Sequence, residues 1–143
     1  MKSQILSKSL SLNELESFAK ELIEVLPNSA VVVLNGNLAA GKTTLVAKIA
    51  NILGVKSATS PTFSLQQIYG DRVFHYDFYR VDFEEIVNLG LLEEFEKEGL
   101  HFVEWANSDL QELLIEAGFR VYSIDINVVD ESLREYILKV LNA

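Results

Sequence analysis

The stretch AVVVLNGNLAAGKTT, residues 30–44, decides the fold. Ala30 to Leu34 is a short β-branched run with no polar alternation, which predicts a strand buried on both faces of a sheet. It leads directly into Gly36-Asn37-Leu38-Ala39-Ala40-Gly41-Lys42-Thr43, a full match to G-x-x-x-x-G-K-[ST]. From Lys42 onward Leu45, Val46, Ile49, Ile52 and Leu53 follow helical spacing, and Gly54 supplies a C-terminal cap. Strand, glycine loop and helix in that order give the motif its physical meaning. The glycines let the backbone curl so that successive amides face phosphate oxygens, the helix N-terminus adds its dipole, and Lys42 neutralises β- and γ-phosphate charge. Thr43 offers its hydroxyl to Mg²⁺. The expectation is a Mg²⁺-dependent ATP site in which Gly36, Asn37, Leu38, Ala39, Ala40, Gly41, Lys42, Thr43 and Thr44 bind the nucleotide.

Downstream, Leu65 to Tyr69 and Arg72 to Asp77 flank Gly70-Asp71, which predicts an antiparallel hairpin beside the parallel strands. Asp82-Phe83-Glu84-Glu85 reads as a capping box opening helical turns through Leu89 and, after Gly90, to about Glu98. Leu100 to Trp105 reads as a second buried strand, and Ser108 as the cap of a helix through Ile115. Val121 to Val128 alternates, with Tyr122, Ile124, Ile126 and Val128 on one face and Ser123, Asp125 and Asn127 on the other, which marks a strand with one wet side. At the C-terminus Leu133, Tyr136, Ile137, Val140 and Leu141 fit a helix slightly better than Tyr136, Leu138 and Val140 fit a strand. Upstream, Ser11-Leu12-Asn13-Glu14 is a capping box for an amphipathic helix carrying Leu12, Leu15, Phe18, Leu22 and Leu26 to about Pro27.

Alternating strands and helices predict a three-layer α/β domain of the P-loop type with a mostly parallel central sheet, and 143 residues at 49% apolar content fit one domain over residues 1–143. Only two prolines occur, and no low-complexity segment or repeat suggests a linker. There is no cysteine, so disulfides, thiolate metal sites and a cysteine nucleophile are excluded and a reducing compartment is expected. The first residues lack the apolar core of a leader and no run approaches membrane-spanning length, so the expectation is a cytoplasmic protein with no membrane partner. Twelve basic and 21 acidic side chains give a net charge of −9, which repels a phosphate backbone and argues against stable nucleic-acid binding by the chain alone. The charge favours solubility, or a basic protein partner.

A P-loop enzyme also needs a carboxylate for the magnesium shell or the attacking water, usually at the end of a buried strand near the loop. Asp77 and Glu104 both end predicted strands, and either could equally be a cap or a surface group. Ser60-Pro61-Thr62-Phe63 follows the P-loop helix, where a threonine that senses the γ-phosphate could lie, although Pro61 could simply shape a strand entry. His75 and His101 fit packed core positions better than ligand positions, and neither is assigned to a metal. Trp105 follows Glu104 and suits the core, a base or a partner.

In order along the chain, GNLAAGKTT, SPTFSL, HYDFYR at His75 to Arg80 and VEWAN at Val103 to Asn107 resemble the TsaE family, the small bacterial P-loop ATPases of tRNA threonylcarbamoyladenosine synthesis. The resemblance covers about residues 10–140. It implies an ATPase working with TsaD and TsaB, the proteins that attach threonylcarbamoyl to adenosine 37 of tRNAs reading codons that begin with A. On matching positions it implies that Lys42 and the loop amides hold the phosphates and that Thr43 and Glu104 serve Mg²⁺. Asp77 would be the other acidic group of the hydrolytic and metal site, Thr62 the switch threonine, and Trp105 a neighbour of the nucleotide or partner. Lys42, Asp77 and Glu104 are thus the catalytic candidates, with ATP and Mg²⁺ as cofactors. The family's usual loop is G-D-L-G-A-G-K-T-T; here Asn37 replaces its aspartate and Ala39 its second glycine, which bears on the hydrolytic rate more than on phosphate binding. The family ends on strands, which turns the C-terminal expectation from helix to strand.

Two other functions fit a P-loop. A small-molecule kinase usually closes an arginine-rich lid, whereas the arginines here are only Arg72, Arg80, Arg120 and Arg134, no two adjacent. A nucleotide-gated binding module would let occupancy set affinity for a partner, with little hydrolysis.

Overall fold

The structure, a computed structural model, describes residues 3–37, 40–55, 58–59 and 65–142. Twelve regular elements follow in chain order: β1 (Ser3–Leu10), α1 (Leu15–Val25), β2 (Ala30–Asn35), α2 (Lys42–Ile52), β3 (Ala58–Thr59), β4 (Gln66–Tyr69), β5 (Val73–Asp77), α3 (Phe83–Asn88), β6 (Leu100–Glu104), α4 (Ser108–Glu116), β7 (Val121–Val128) and β8 (Arg134–Val140). The strands form one eight-stranded sheet ordered β1-β8-β7-β2-β6-β5-β4-β3. Its centre, β7-β2-β6-β5, is parallel, and both flanks are antiparallel.

The alternation of β2 sorts the core into two layers. Val32 and Leu34 join Leu15, Phe18 and Leu22 of α1 and Leu45 and Ile49 of α2. Val31 and Val33 join Ile86 of α3, Leu110 and Leu114 of α4, and Leu91 and Phe95 from a 3₁₀ turn at Leu91–Glu96. A strand covered by helices on both sides has no solvent face, which is why it reads as an unbroken apolar run. The expected three-layer α/β fold is therefore present, with the hairpin closing at Gly70 and pairing Tyr69 with Val73 and Gln66 with Tyr76.

Three local expectations change. The cap of α4 is Asn107 rather than Ser108, its Oδ1 accepting the Leu110 amide at 2.8 Å. Leu12 lies outside the core at 71% exposure, because the capping turn begins with a 3₁₀ step that points it away from the α1 stripe. β7 has no wet side over its first half: Ser123 is buried, since α4 lies against that part of the strand, while Val128 beyond it is exposed. The C-terminus is a strand, as the family resemblance indicated and periodicity did not, and β8 pairs with β7 and with the N-terminal strand β1. No expectation covered β1. Its residues are mostly polar and exposed, and it is held by backbone pairing at a sheet edge, with Leu10 buried and Lys8 reaching Glu21 of α1 at 3.5 Å.

Two buried features tie the lower end of the sheet together. Gly99 (φ 140) precedes β6, and a Cβ there would stand 2.3 Å from the Arg72 carbonyl oxygen. His101 stacks on Phe74 with ring centroids 4.3 Å apart. Because a carbonyl only accepts, its Nε2–H donates to Lys97 O at 2.7 Å, which leaves Nδ1 to accept from the Tyr76 hydroxyl, also at 2.7 Å. Burial pushes the ring's pKa down from 6.5 to about 4, against the upward pull of the Lys97 bond.

Gly99→Ala combines a strained φ with a clash against main chain that cannot swing away, so urea unfolding should show a loss of roughly 2 kcal/mol or more. For His101, the unfolded chain takes up a proton between pH 6.5 and about 4 while the folded ring does not, so stability is lost as pH falls through that window. The loss is about 3 kcal/mol at most. Urea-unfolding free energies of the native chain and His101→Gln, measured from pH 7 to 4, should diverge by a sizeable part of that; parallel curves would refute the assignment.

Candidate functional site

At the end of β2 the chain must turn sharply, and Gly36 is what permits it. A Cβ at that position would meet the Ile126 carbonyl oxygen at 2.9 Å and the Ala40 Cβ at 3.0 Å. The strand end is also tied sideways: Asn35 Nδ2 donates to Asp125 Oδ1 at 2.9 Å, and Asp125 Oδ2 lies 3.0 Å from Lys139 Nζ, which joins β2, β7 and β8. The loop then closes through the Ala40 amide on the Asn37 carbonyl at 3.1 Å. Gly41, in the left-handed region at φ 99, caps α2. A left-handed residue directly before the helix suits glycine, which has no Cβ to resist it.

Lys42 opens α2 with only 3% of its surface exposed. Its ammonium folds back to donate to the Gly36 carbonyl at 2.8 Å, lies 3.8 Å from Glu104 Oε1, and sits 4.0 Å from the centroid of the Trp105 ring. Burial lowers its pKa, and the negative charges of Glu104 and Asp77 partly restore it. Thr43, the next residue, donates its hydroxyl to Glu104 Oε2 at 3.0 Å. The same oxygen is bonded to His75 Nε2. Glu104 is buried, which by itself pushes its pKa up. The His75 hydrogen bond and charge, the Thr43 hydroxyl and Lys42 outweigh that push and hold it below the usual carboxylate range.

Parallel pairing of β5 with β6 sets Asp77 opposite Glu104, on the same sheet face. Asp77 is exposed, and its Oδ1 accepts the Tyr79 amide at 3.1 Å in a tight turn. Trp105 and Arg80 follow these strand ends in left-handed backbone, at φ 60 and 59, a conformation that bulky residues adopt only when their surroundings hold them there. Tyr79 packs on Trp105 with ring centroids 5.0 Å apart.

Two hollows border the loop. One, of about 470 Å³, lies between Gly41 and Thr44 on one side and Leu12, Arg134 and Tyr136 on the other. The second, of about 370 Å³, runs past Gly36 between Asn35, Arg80 and Trp105.

Of the residues singled out in the sequence, Gly36, Gly41, Lys42, Thr43, Glu104 and Trp105 converge on one spot. Asp77 stands beside it. Ala40 and Thr44 line the larger hollow, and the Asn37 side chain is exposed. Leu38, Ala39 and Thr62, with the segment Ser60-Pro61-Thr62-Phe63, lie outside the described residues. Sequence reasoning missed His75 as a neighbour of Glu104. The signal was present, since His75 and Asp77 are two apart on one strand and must share a face. It missed Arg134 and Tyr136 as well, for they reach the loop from the far end of the chain and carry no local mark.

Comparison with known proteins finds likenesses over most of the chain. The family described as "Threonylcarbamoyl adenosine biosynthesis protein TsaE" matches residues 9–136. The tRNA threonylcarbamoyladenosine biosynthesis protein TsaE of Aquifex aeolicus is 36% identical over 124 residues, 82% of each chain. The protein of that name from Bacillus subtilis is 35% identical over 108 residues, 73% of this chain and 68% of its own. The crystal structure of Bacillus subtilis YdiB superposes with a TM-score of 0.70 at 28% identity, covering 99% of this chain and 88% of that one. With its P-loop, its paired strand-end carboxylates and these likenesses over nearly its whole length, the chain belongs to the TsaE family.

Proposed function

We propose that this chain binds ATP with Mg²⁺ at the P-loop, hydrolyses it slowly by itself, and supports TsaD and TsaB in attaching threonylcarbamoyl to adenosine 37 of tRNAs reading codons that begin with A. One observation carries the reading. The hydroxyl of the P-loop threonine and the carboxylate at the end of β6 meet at 3.0 Å, with the P-loop lysine 3.8 Å from the other carboxylate oxygen. A phosphate site, a hard-oxygen pair and a cation therefore occupy one small volume. The names of the curated relatives supply the pathway, tRNA threonylcarbamoyladenosine biosynthesis.

The residues fit both cofactors. Thr43 and Glu104 offer oxygen ligands of the kind Mg²⁺ prefers, and among the described residues no three acidic or histidine side chains form a complete cage. That suits a metal bound through one or two protein oxygens, with phosphate and water completing its shell. Asp77 would be the outer acidic group, orienting the metal's water or the attacking water. Magnesium on the phosphates would neutralise charge that builds on the transferred phosphoryl group. Lys42 would leave the Gly36 carbonyl for the β- and γ-phosphates, and the α2 N-terminus would add its amides and dipole. The hollow beside Gly41, with Tyr136 and Arg134, has the volume and lining for a nucleoside. Beyond the active site, no helix of the described residues is long and apolar enough to cross a membrane. A cytoplasmic place beside tRNA-modifying partners is part of the proposal.

Lys42→Ala removes a charge aimed at phosphate, so ATP affinity should fall roughly ten- to a hundredfold in a calorimetric titration. Thr43→Ala should leave metal-free affinity nearly unchanged and abolish most of the strengthening that Mg²⁺ brings. Unaltered affinity in the lysine variant would overturn the site.

Asp77→Asn and Glu104→Gln should separate binding from turnover, because carboxylates act on metal and water at the transition state while loop amides and Lys42 supply ground-state phosphate contacts. Hydrolysis should drop by about a hundredfold or more while ATP affinity stays within about tenfold. The same variants, reconstituted with TsaD, TsaB and tRNA, should fail at multiple-turnover threonylcarbamoylation even where the protein complex forms. Full modification with both carboxylates neutralised would leave only the nucleotide-gated binding module.

A further inference from the structure

The two histidines sit on neighbouring strands and face opposite layers. His101 lies among Phe74, Tyr76 and Phe95, bonded to a tyrosine and a main-chain carbonyl, as a packed core histidine should be. His75 is also buried, at 6% exposure, but it points to the P-loop side and bonds the same Glu104 oxygen that receives the Thr43 hydroxyl. A core histidine has no need of a site carboxylate.

The three partners of Glu104 differ in what holds them. Lys42 and Thr43 belong to the first turn of α2 and move with any rearrangement of the glycine loop around a nucleotide. His75 belongs to β5, whose residues pair in register with β6 from Val73–Leu100 to Asp77–Glu104. Of the three it alone is fixed to the sheet that carries Glu104. A glutamate side chain has three torsions, and immobilising such a chain costs conformational entropy if nothing has ordered it beforehand. A donor on the adjacent strand orders it in advance, whatever the loop does.

We infer that His75 is a positioning residue: it holds the Glu104 carboxylate in the rotamer that meets Thr43, so the metal-binding oxygens stand preformed while the P-loop changes partners. The inference rests on the nucleotide-site reading and deepens it by one residue. The related fact that His75 and Asp77 share a face gives the H-x-D spacing of β5 a physical purpose. One member would anchor Glu104 from beneath, and the other would stand beside it at the open strand end.

The test compares His75→Leu, which fills similar space without a donor, with His75→Gln, whose side-chain amide nitrogen can stand near the place of Nε2. A first arm uses nucleotide-free crystals of the three proteins. Glu104 should occupy one rotamer on Thr43 in the native chain and the glutamine variant, and shift or split in the leucine variant. The second arm measures ADP affinity with and without Mg²⁺, and kcat and KM for ATP. His75→Leu should keep metal-free ADP affinity within about twofold, lose most of the strengthening due to Mg²⁺, and lower kcat about tenfold or more at little-changed KM. His75→Gln should recover most of both. A single, unmoved Glu104 rotamer in His75→Leu, or an undiminished Mg²⁺ effect, would overturn the role. So would equal impairment of both variants with matching losses of thermal stability, which marks a purely structural histidine. If the native chain binds no nucleotide, the site reading fails by itself, and the crystallographic arm still decides whether His75 positions Glu104.

Discussion

A carboxylate that is nine-tenths buried must be paired, and Glu104 is the point at which this protein meets that requirement. Burial alone would drive it toward the neutral acid. An ammonium, a hydroxyl and an imidazole instead keep it ionised. Those three groups come from two separate parts of the chain, the P-loop helix and the neighbouring strand β5. The charge on Glu104 therefore ties the glycine loop to the sheet. Removing either side would leave an uncompensated charge in a poorly hydrated place, an outcome far more costly than the loss of a surface ion pair.

The sheet order makes the meeting possible. β2 lies between β6 and β7 and runs parallel to both, so the chain leaves β2 beside the end of β6, while β7 runs on past it to Val128. In open α/β sheets such a switch in strand order opens a crevice at the carboxyl ends. Leu34 pairs with Glu104, and Glu104 with Asp77, so residues at the ends of three adjacent strands stand in a row beneath the loop. Gly36 is packed against the Ile126 carbonyl of β7 from the other side. The loop is thus held between a row of strand ends and β7, and two hollows border it, one lined by Gly41 and Thr44 and the other by Gly36.

How much of this was legible follows from how local each signal is. The buried strand, the glycine loop and the helix after it are written in adjacent residues, and all three stand where the residues indicated. Asp77 and Glu104 were readable as strand ends, because a carboxylate closing an apolar run is a local pattern. Which strands adjoin is set by pairings across tens of residues, so the approach of Arg134 and Tyr136 to the loop had no local mark, and the H-x-D spacing put His75 on the face of Asp77 without saying that it meets Glu104. β1 was illegible for another reason. An edge strand takes its stability from backbone hydrogen bonds to β8, and its side chains are under little demand to be apolar. The helix-or-strand ambiguity at the C-terminus arose because Tyr136 and Val140 fit both periods. Pairing with β1 and β7, rather than side-chain spacing, decides it.

The Lys42 ammonium has its needs met within the chain: a main-chain carbonyl at 2.8 Å, an indole face at 4.0 Å and a carboxylate oxygen at 3.8 Å. A phosphate at this loop would therefore exchange one set of partners for another rather than satisfy a bare charge, and its net gain would be the difference between them. Lys42, Thr43 and Trp105 are linked through Glu104, either by direct contact or by adjacency in the chain, so that exchange cannot stay local. When the lysine moves, the indole loses its cation, and Trp105 is held in a left-handed backbone only by what surrounds it. Trp105 also lines the second hollow, with Arg80 and Asn35. A change at the phosphate site is thereby coupled to the shape of a surface beside it by contacts that exist in the folded chain. Such coupling is what the proposed action on another protein, rather than on a small substrate, would require.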